Sequence, residues 1–314
     1  MRAVLTAATA ALLLAGLTAC TGDPVPEPAA TPSVAAPAAT TAAPASPPAC
    51  DARTSWRPSR GLEIPATGRL REISDRGRLI LGTSQDTLLF ASRDPFTGRI
   101  EGFDVDMGRQ IAKAIFGDEN RLEVRVVPRA KRIEAVTSGQ VDLVINTMTT
   151  NCTRWEQVDF STVYFEAGQR VLVGKDSAVE RIEDLGGRTV CAAEGSTSLG
   201  NIGKVAVDPK PVAVGRADFG ACLVAFQRGE VEAISTDDTI LAGLAAQDPY
   251  AKVVGVPFTE EPYAIAIDKK NRDLTEFVNA VLERMRADGT WKAVHDRWLG
   301  ASGPAPQPPA ARYR

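Results

Sequence analysis

Two short polar segments, each at the end of a predicted buried strand, hold the side chains best suited to bind a small ligand. Residues 146–150 (Asn-Thr-Met-Thr-Thr) follow the strand 141–145, and residues 235–239 (Ser-Thr-Asp-Asp-Thr) close the strand 231–235. In open α/β sheets, ligands bind beyond the carboxyl ends of the strands. If the two strand ends belong to two separate lobes that face each other, they would form a cleft lined with hydroxyls, carboxylates and arginines from the first lobe. Alternatively, these residues only cap the helices that follow, which is a common use of Asn, Asp and Thr.

Residue types that support catalysis or metal binding are sparse. His295 is the single histidine, no Cys-x-x-Cys spacing occurs, and no Ser/His/Asp set can be identified. An isolated carboxylate can act as a general acid, but binding of an ammonium group explains such a residue equally well. We therefore predict no catalytic residue, no metal site and no cofactor.

The composition argues against several classes of protein. The formal net charge is −3, with 36 Lys and Arg against 39 Asp and Glu. No basic stripe favours nucleic acid, and beyond the N-terminal segment no apolar run is long enough to cross a bilayer. The region from about 50 to 300 is long enough for one large domain or two small ones.

Strand and helix patterns alternate along this region in two sets. The first set runs from the strand 78–82 to the strand 141–145, and the second runs from the strand 189–192 to the strand 252–256. Within the second set, residues 194–198 are predicted as a turn. The alternation predicts βαβ units, in which helices cover both faces of a parallel sheet. We therefore predict an α/β fold with two sheets.

The two ends of the chain are predicted to lie outside this fold. Residues 1–19 contain an apolar run that is too short to span a bilayer and is typical of a signal peptide. Residues 17–20 (Leu-Thr-Ala-Cys) resemble the bacterial lipobox, in which the cysteine carries a lipid, whereas an ordinary signal peptide would leave Cys20 as a spare thiol. The Pro- and Ala-rich residues 20–49 predict a disordered tether, and the Pro-rich residues 301–314 predict a disordered tail.

Four cysteines remain if Cys20 is lipidated, and an even number in an oxidising compartment indicates two disulfides. Three pairings are possible. Cys191 and Cys222 both fall within the second set of elements, which favours a bond between them and leaves Cys50 to pair with Cys152. The alternative is that these cysteines are buried free thiols.

A series of short motifs occurs in a specific order along the folded region. They are Gly-Phe-Asp-Val-Asp (102–106), Gly-Gln-Val-Asp-Leu (139–143), Met-Thr-Thr-Asn-Cys-Thr-Arg (148–154), Val-Asp-Phe-Ser (158–161), Gly-Ser-Thr-Ser (195–198), Gly-Glu-Val-Glu-Ala (229–233), Gly-Thr-Trp (289–291) and Trp-Leu-Gly (298–300). In this order they resemble the family 3 extracellular solute-binding proteins, the polar amino-acid receptors of ABC importers. Within that family, the chain most resembles glutamate/aspartate and glutamine receptors, and among these the lipoproteins of actinobacteria.

The resemblance implies a particular α/β architecture, the periplasmic-binding-protein type II fold. Two α/β lobes are joined by two crossing strands, and the ligand cleft lies between the lobes. The first lobe is then discontinuous, with residues 50–169 and 262–300, and the second lobe comprises residues 170–261. The crossings are expected near residues 170–173 and 263–267.

The same resemblance assigns roles to five residues that would hold the zwitterionic part of an amino acid. Arg154 would bind the α-carboxylate, because its planar guanidinium presents two parallel donors to two oxygens. Thr149 would add a hydroxyl and a backbone contact, and Thr147 would also touch the ligand. From the opposite lobe, Thr197 would offer a backbone N–H to the carboxylate, and Asp237 would pair with the α-ammonium.

Ligand selectivity depends on the residues around the distal end of the ligand. Arg132 resembles the arginine with which glutamate/aspartate receptors hold the distal carboxylate, although a partly structural role is the alternative, and Arg129 would assist it or be solvated. Members that bind neutral amino acids often carry an Asp and an aromatic ring where this chain has Ser84 and Thr87. We therefore expect glutamate or aspartate as first ligand and their amides as second.

The resemblance implies a monomeric, lipid-anchored extracytoplasmic receptor that closes on an amino acid and delivers it to an ABC permease. Two alternatives are a sensor that docks on a membrane signalling partner and a dehydratase built on the same fold. The second alternative would require catalytic groups, which the sequence does not reveal.

Overall fold

Helices and strands alternate through residues 50–314, which the computed structural model describes apart from the side chain of Ser302. The predicted signal peptide 1–19, the lipidated Cys20 and the tether 20–49 lie outside the described residues. The helices are α1 (Arg69–Arg76), α2 (Phe103–Phe116), α3 (Arg132–Thr137), α4 (Cys152–Trp155), α5 (Thr197–Ile202), α6 (Phe219–Gln227), α7 (Asp238–Gln247), α8 (Arg272–Ala287) and α9 (Thr290–Leu299), with short 3₁₀ turns at Arg129–Lys131, Ile182–Leu185 and Gly300–Ser302. The strands are β1 (Leu79–Thr83), β2 (Asp86–Thr87), β3 (Ala91–Arg93), β4 (Ile100–Glu101), β5 (Leu122–Val126), β6 (Leu143–Val144), β7 (Asp159–Phe160), β8 (Phe165–Gly174), β9 (Thr189–Ala193), β10 (Val212–Arg216), β11 (Ala233–Asp237), β12 (Ala251–Tyr263) and β13 (Ala266–Ile267).

Two five-stranded sheets form the centres of two lobes. The first sheet has the order β5-β1-β6-β13-β7, and the second has the order β10-β9-β11-β8-β12. In each sheet the first three strands are parallel, as the βαβ pattern predicts, whereas the last two run antiparallel to their neighbours. The sheets are therefore mixed, since β13 in the first sheet and β8 in the second each run opposite to both of their neighbours. Strands β2, β3 and β4 form a small separate sheet.

The lobes are connected where β8 and β12 continue beyond the second sheet. Residues 165–169 pair antiparallel with residues 259–263, from Phe165 opposite Tyr263 to Gln169 opposite Thr259. Residues 170–173, where one crossing was expected, instead pair with β11 or β12 inside the second sheet. The prediction of the crossings was thus a few residues too late, because both strands extend without interruption from one lobe into the other.

Each lobe has its own hydrophobic core. Strand β1 is buried along its whole length, as expected of a strand between two layers of helices. Helix α8 buries Leu274, Val278, Val281 and Met285, whose spacing of three or four residues places them on one face toward the first core. In the second lobe, Cys191 of β9 and Cys222 of α6 are buried in the core.

Both favoured cysteine pairs lie at disulfide distance. The Sγ atoms of Cys191 and Cys222 are 1.98 Å apart, and those of Cys50 and Cys152 are 2.17 Å apart. The first bond ties α6 to β9 within the second lobe. The second ties the start of the described chain to α4 in the first lobe.

The C-terminal segment is ordered, so the prediction of a disordered tail at residues 301–314 was wrong. The backbone N–H of Ser55 donates to the carbonyl of Arg312, and the N–H of Arg314 donates to the carbonyl of Ser55, both at 3.0 Å. The Arg314 guanidinium lies 3.9 Å above the ring of Trp155. Prolines prevent this segment from forming a regular element, but its terminal residues supply contacts that composition does not reveal. Within residues 50–314, no helix has both the length and the apolar character required to cross a membrane.

Candidate ligand-binding cleft

A narrow cleft lies between the two lobes. Its first-lobe side, here called the first wall, consists of Arg129, Arg132, Thr147, Thr149 and Arg154. Its second-lobe side, the second wall, consists of Ser196, Thr197, Ser198, Phe219, Thr236, Asp237 and Ile240.

The lobes touch each other around this cleft. A Cβ atom on Gly195 of the second lobe would lie 2.5 Å from Cα of Ala130 in the first lobe, which shows how closely the two backbones approach. The backbone N–H of Phe219 donates to Oδ2 of Asp86 across the same boundary at 3.2 Å. The structure is therefore in a closed arrangement.

Arg154 is fixed by the helix on which it lies. Asn151 caps α4, its side chain accepting from the Arg154 backbone N–H. The guanidinium donates to the carbonyl of Thr149 at 2.6 Å and to the carbonyl of Gly195 at 3.1 Å, leaving three of its five N–H groups without a bond in the chain. Burial lowers the pKa of Arg154, and the charges of Glu261 and Asp237 oppose this shift. A carboxylate ligand would satisfy the remaining donors.

Arg132 is held by three backbone carbonyls, namely those of Arg129, Asn146 and Gly195, at 2.9–3.0 Å. These bonds leave two N–H groups of the guanidinium for a ligand. Burial, together with repulsion from Arg154 and Arg129, lowers the pKa of Arg132 well below its usual range. The bonds to the three carbonyls fix the position of a side chain that also lines the cleft.

Arg129 connects the cleft to Thr87. Its guanidinium donates to the hydroxyls of Thr147 (3.0 Å) and Thr87, and it lies 4.8 Å from the centroid of the Phe219 ring. A cation over an aromatic face at this distance is stabilised by the ring quadrupole. The lining of the cleft therefore includes an aromatic ring, Phe219, from the opposite lobe. Ser84 does not line the cleft, because its hydroxyl lies behind Thr87 at 3.0 Å from the Thr87 hydroxyl.

Thr147 adopts an unusual backbone conformation, with φ of 40°. This region is rare for a β-branched residue. Its backbone N–H donates to Oδ2 of Asp104 at 2.7 Å, and the hydroxyl of Tyr164 donates to Oδ1 of the same carboxyl at 2.7 Å. Burial raises the pKa of Asp104 to about 7, although these hydrogen bonds lower it. The Asp104 in the Gly-Phe-Asp-Val-Asp motif therefore supports the first wall from behind.

Asp237 is the carboxylate of the second wall. It ends β11, two residues beyond the predicted end of this strand, and is 3 % exposed. Its Oδ2 accepts from the hydroxyl of Tyr263 at 2.6 Å, whereas its buried Oδ1 has no hydrogen-bond partner within the chain. Burial and the charge of Glu261 raise the pKa of Asp237 to about 7. An ammonium group would supply both the missing donor and the opposite charge.

The segment predicted as a turn at 194–198 leads directly into helix α5. Gly195 has φ of 72°, and the hydroxyl of Ser196 accepts from the Leu199 backbone N–H as the helix cap. Thr197 is the first residue of the helix, and its hydroxyl donates to Oε2 of Glu261 at 2.7 Å. The Thr149 hydroxyl donates to the same oxygen at 2.6 Å.

The structure thus brings together seven of the eight residues named from the sequence as ligand contacts, with Ser84 the exception. Sequence reasoning missed Gly195 as a carbonyl acceptor, Phe219, Glu261 and Tyr263. Phe219 follows Asp218, whose capping pattern predicts a helix start but not its place at a cleft. Glu261 and Tyr263 lie on β12, where no local pattern indicates a site. Among the described residues, no cluster of three or more His, Cys, Asp or Glu side chains is arranged to hold a metal ion.

Comparison with known proteins agrees with this geometry. Residues 79–301 match the model of the bacterial extracellular solute-binding proteins, family 3. The chain belongs to this family. Homologues of the chain are binding proteins for ABC transport and not enzymes, and the two-lobed α/β fold expected from the sequence is confirmed.

Three similar proteins illustrate the range of relatives. The glutamine-binding protein GlnH of a Bacillus subtilis ABC transporter is 38 % identical over 231 residues, covering 73 % of this chain and 84 % of that protein. The glutamate-binding protein GluB of Corynebacterium glutamicum is 32 % identical over 238 residues, covering 72 % of this chain and 80 % of that protein. A solved structure of an ancestral arginine-binding protein bound to glutamine has a TM-score of 0.67 at 36 % identity, covering 72 % of this chain and 99 % of that one.

Proposed function

We propose that this chain is a receptor for an acidic amino acid, with glutamate or aspartate as first ligand and their amides as second. In this proposal Arg154 binds the α-carboxylate, together with the backbone N–H groups of Thr149 and Thr197. Asp237 binds the α-ammonium through Oδ1. Arg132, assisted by Arg129, faces the distal carboxylate.

One observation carries the preference for an acid: the cleft lining contains three arginines and a single carboxylate, Asp237. Like charges buried close together repel each other, and the lowered pKa of Arg132 reflects this repulsion as well as burial. A zwitterion pairs with Arg154 and Asp237 and brings no further negative charge to Arg129 and Arg132. A second carboxylate on the ligand offsets their charge, whereas an amide only accepts hydrogen bonds from them.

The names of the relatives support a five-carbon amino acid but differ at the distal group, since one relative is named for glutamine and another for glutamate. The bonds of Arg132 to three carbonyls bear on this choice. They reduce the cost of burying this cation, so a neutral amide is tolerated as second ligand.

We further propose that the protein delivers its ligand to an ABC importer, as the name of the Bacillus subtilis relative indicates for that protein. The lipobox-like residues ending at Cys20 support a lipid anchor on the outer face of the cell membrane. Such an anchor would keep a monomeric receptor close to its permease. Docking on a membrane signalling partner is the alternative use of the same closed form.

Calorimetry with L-glutamate, L-aspartate, L-glutamine and L-asparagine tests the proposal. The wild-type protein should bind one ligand per chain, with the acids tighter than the amides. Arg132→Met should weaken the acids by about 30-fold or more relative to the amides, because removing one partner of a buried charge pair costs about 2–5 kcal/mol. Arg121→Met, which changes an exposed arginine of the first lobe, should change neither class of ligand.

Two results would contradict parts of the proposal. Tighter binding of glutamine than of glutamate by the wild type would overturn the acid preference while leaving amino-acid binding intact. Equal losses for acids and amides in Arg132→Met would mean that Arg132 acts only through its backbone carbonyls.

A further inference from the structure

Glu261 is a buried carboxylate at the crossing of the lobes, and it is only 2 % exposed. It lies on β12, within the stretch that pairs with β8 between the two lobes. Its Oε1 accepts from the amide of Asn201 at 3.0 Å and from the hydroxyl of Thr259 at 2.7 Å. Its Oε2 accepts from the hydroxyls of Thr149 and Thr197, at 2.6 and 2.7 Å. One side chain therefore joins the first lobe, the second lobe and the crossing strand.

The hydrogen bonds to Oε2 of Glu261 determine where the hydroxyl hydrogens of Thr149 and Thr197 point. An ionised carboxylate only accepts hydrogen bonds, so Thr149 and Thr197 must both donate their single hydroxyl hydrogen to Glu261. The two hydroxyl oxygens are 3.4 Å apart and both residues line the cleft. With their hydrogens used, these oxygens can act toward a ligand only as acceptors.

We infer that Glu261 is a positioning residue that makes the hydroxyls of Thr149 and Thr197 acceptors for the α-ammonium group of the ligand. This inference rests on the proposed amino-acid ligand and deepens it. An ammonium group has three N–H donors and no acceptor. Together with the unpartnered Oδ1 of Asp237, the two hydroxyls provide three acceptors in the same cleft. Glu261 itself does not line the cleft and acts through the threonines.

The variant Glu261→Gln should reverse this arrangement for a specific geometric reason. The NH₂ group of Asn201 donates both to Oε1 of Glu261 and to the side-chain oxygen of Gln169. If the NH₂ group that Glu261→Gln introduces took the Oε1 position, it would face this donor without an acceptor between them. The new NH₂ group should therefore take the Oε2 position and donate to the hydroxyls of Thr149 and Thr197. Both hydroxyls then turn their hydrogens away from residue 261 and toward the cleft. There, these hydrogens would face the N–H groups of an ammonium, which are also donors.

The experiment compares L-glutamate with 2-oxoglutarate, which has both carboxylates but a carbonyl acceptor in place of the ammonium. The ratio of their dissociation constants is measured by calorimetry for wild type and Glu261→Gln. In the variant the preference for glutamate should fall by about tenfold or more, since hydrogen bonds to a charged group are among the strong ones. A merely structural role would weaken both ligands equally and leave the ratio unchanged, which would overturn the inference.

Glu261→Gln also removes a negative charge near the ammonium, and this loss alone lowers the preference for glutamate over 2-oxoglutarate. Glu261→Gln is therefore also made in a protein that carries Thr149→Val and Thr197→Val. Without the hydroxyls only the charge effect remains, so Glu261→Gln should then change the ratio less than it does in the wild-type background. An equal change in both backgrounds would overturn the role of the hydroxyl protons. If the double-valine protein does not fold, each single valine variant should reduce the effect partially, and no reduction in either would have the same meaning.

Results that contradict the proposed function can be distinguished from results that contradict the role of Glu261. If the wild type prefers glutamine, the comparison uses glutamine and its 2-oxo analogue, and the same change of ratio is expected. If the wild type binds no amino acid, the proposed function and this inference are both overturned.

Discussion

The two walls of the cleft differ both in charge and in how their side chains are held. The first wall provides Arg129, Arg132 and Arg154, and the bonds of each to hydroxyl or carbonyl oxygens leave some of its N–H groups for a ligand. The second wall provides Asp237 and Thr197, which are held by Tyr263 and Glu261 of the crossing strand.

Under the proposed function, this difference means that neither lobe alone can bind an amino acid. A zwitterion needs cations for its carboxylate and an anion for its ammonium, and the two kinds of group lie on separate lobes. Contacts to both walls form only when the lobes meet, so the ligand favours the closed form by its differential affinity. The charge separation therefore couples recognition to closure.

The substitution with the largest expected effect removes Arg154, the cation of the first wall that we propose binds the α-carboxylate. Arg154→Ala should weaken glutamate binding by about 100-fold or more, because truncating a buried, hydrogen-bonded charge partner costs about 2–5 kcal/mol. Calorimetry measures the loss, and Arg181→Ala, at an exposed arginine of the second lobe, is the control. Normal affinity in Arg154→Ala would show that the carboxylate is bound elsewhere.

A second test keeps both walls but prevents them from meeting. Gly195→Ala would place its Cβ 2.5 Å from Cα of Ala130, a clash that only opening of the lobes relieves. Affinity should fall by about 10- to 100-fold, from the 1–3 kcal/mol that overpacking typically costs. Small-angle scattering at saturating ligand should show a larger radius of gyration than for the wild type.

Gly229→Ala is the matched control for this test. Gly229 also has a positive φ, of 70°, but a Cβ there would meet nothing within 4 Å. Both variants therefore carry similar backbone strain, and only Gly195→Ala obstructs closure. A similar loss of affinity in both variants would mean that strain, and not contact between the walls, is responsible.

The smallest expected effect is the change of glutamate affinity with pH, which depends on protonation of the Asp237 carboxyl on the second wall. The pKa of Asp237 is raised to about 7, so this carboxyl must lose its proton to pair with an ammonium. Glutamate affinity should therefore rise with pH up to about 7 and fall by about tenfold per pH unit below it. In the free protein the same raised pKa acts in the opposite sense, because the folded state holds the proton more tightly and its stability falls as pH rises from about 4 to 7.

Asp237→Asn separates this carboxyl from Asp104, whose pKa burial also raises to about 7. The variant should bind glutamate weakly and show little change between pH 5.5 and 7.5 in calorimetric titrations. A pH dependence that survives in Asp237→Asn would assign the titration to Asp104 or another group.

The two polar strand ends show how far the sequence predicts the site. The segment with Thr147 and Thr149 and the segment with Asp237 lie on opposite walls, as the rule for carboxyl ends of strands indicates. Family motifs added Arg132, Arg154 and Thr197. These residues could be predicted from the sequence because each one lies in a local motif or directly after an apolar run.

Glu261 and Phe219 were not predictable in this way, since their contacts are distant in sequence. Glu261 bonds Thr149 over 112 positions, and the Phe219 ring meets Arg129 of the other lobe. Local patterns specify elements, but the pairing of β8 with β12 decides which residues of the crossing face the cleft. The ordered tail was missed for a similar reason, because its partners Ser55 and Trp155 are far away in the chain.

The pairing of the C-terminal segment with Ser55 has a mechanical consequence. The described chain starts and ends in the first lobe, where the Cys50–Cys152 bond and the Ser55–Arg312 contacts hold both ends. Tension applied between residues 50 and 314 is therefore resisted first by these contacts, before it reaches the strands that lead to the second lobe. A tether on either end can stretch or turn the molecule while the second lobe remains free to open and close.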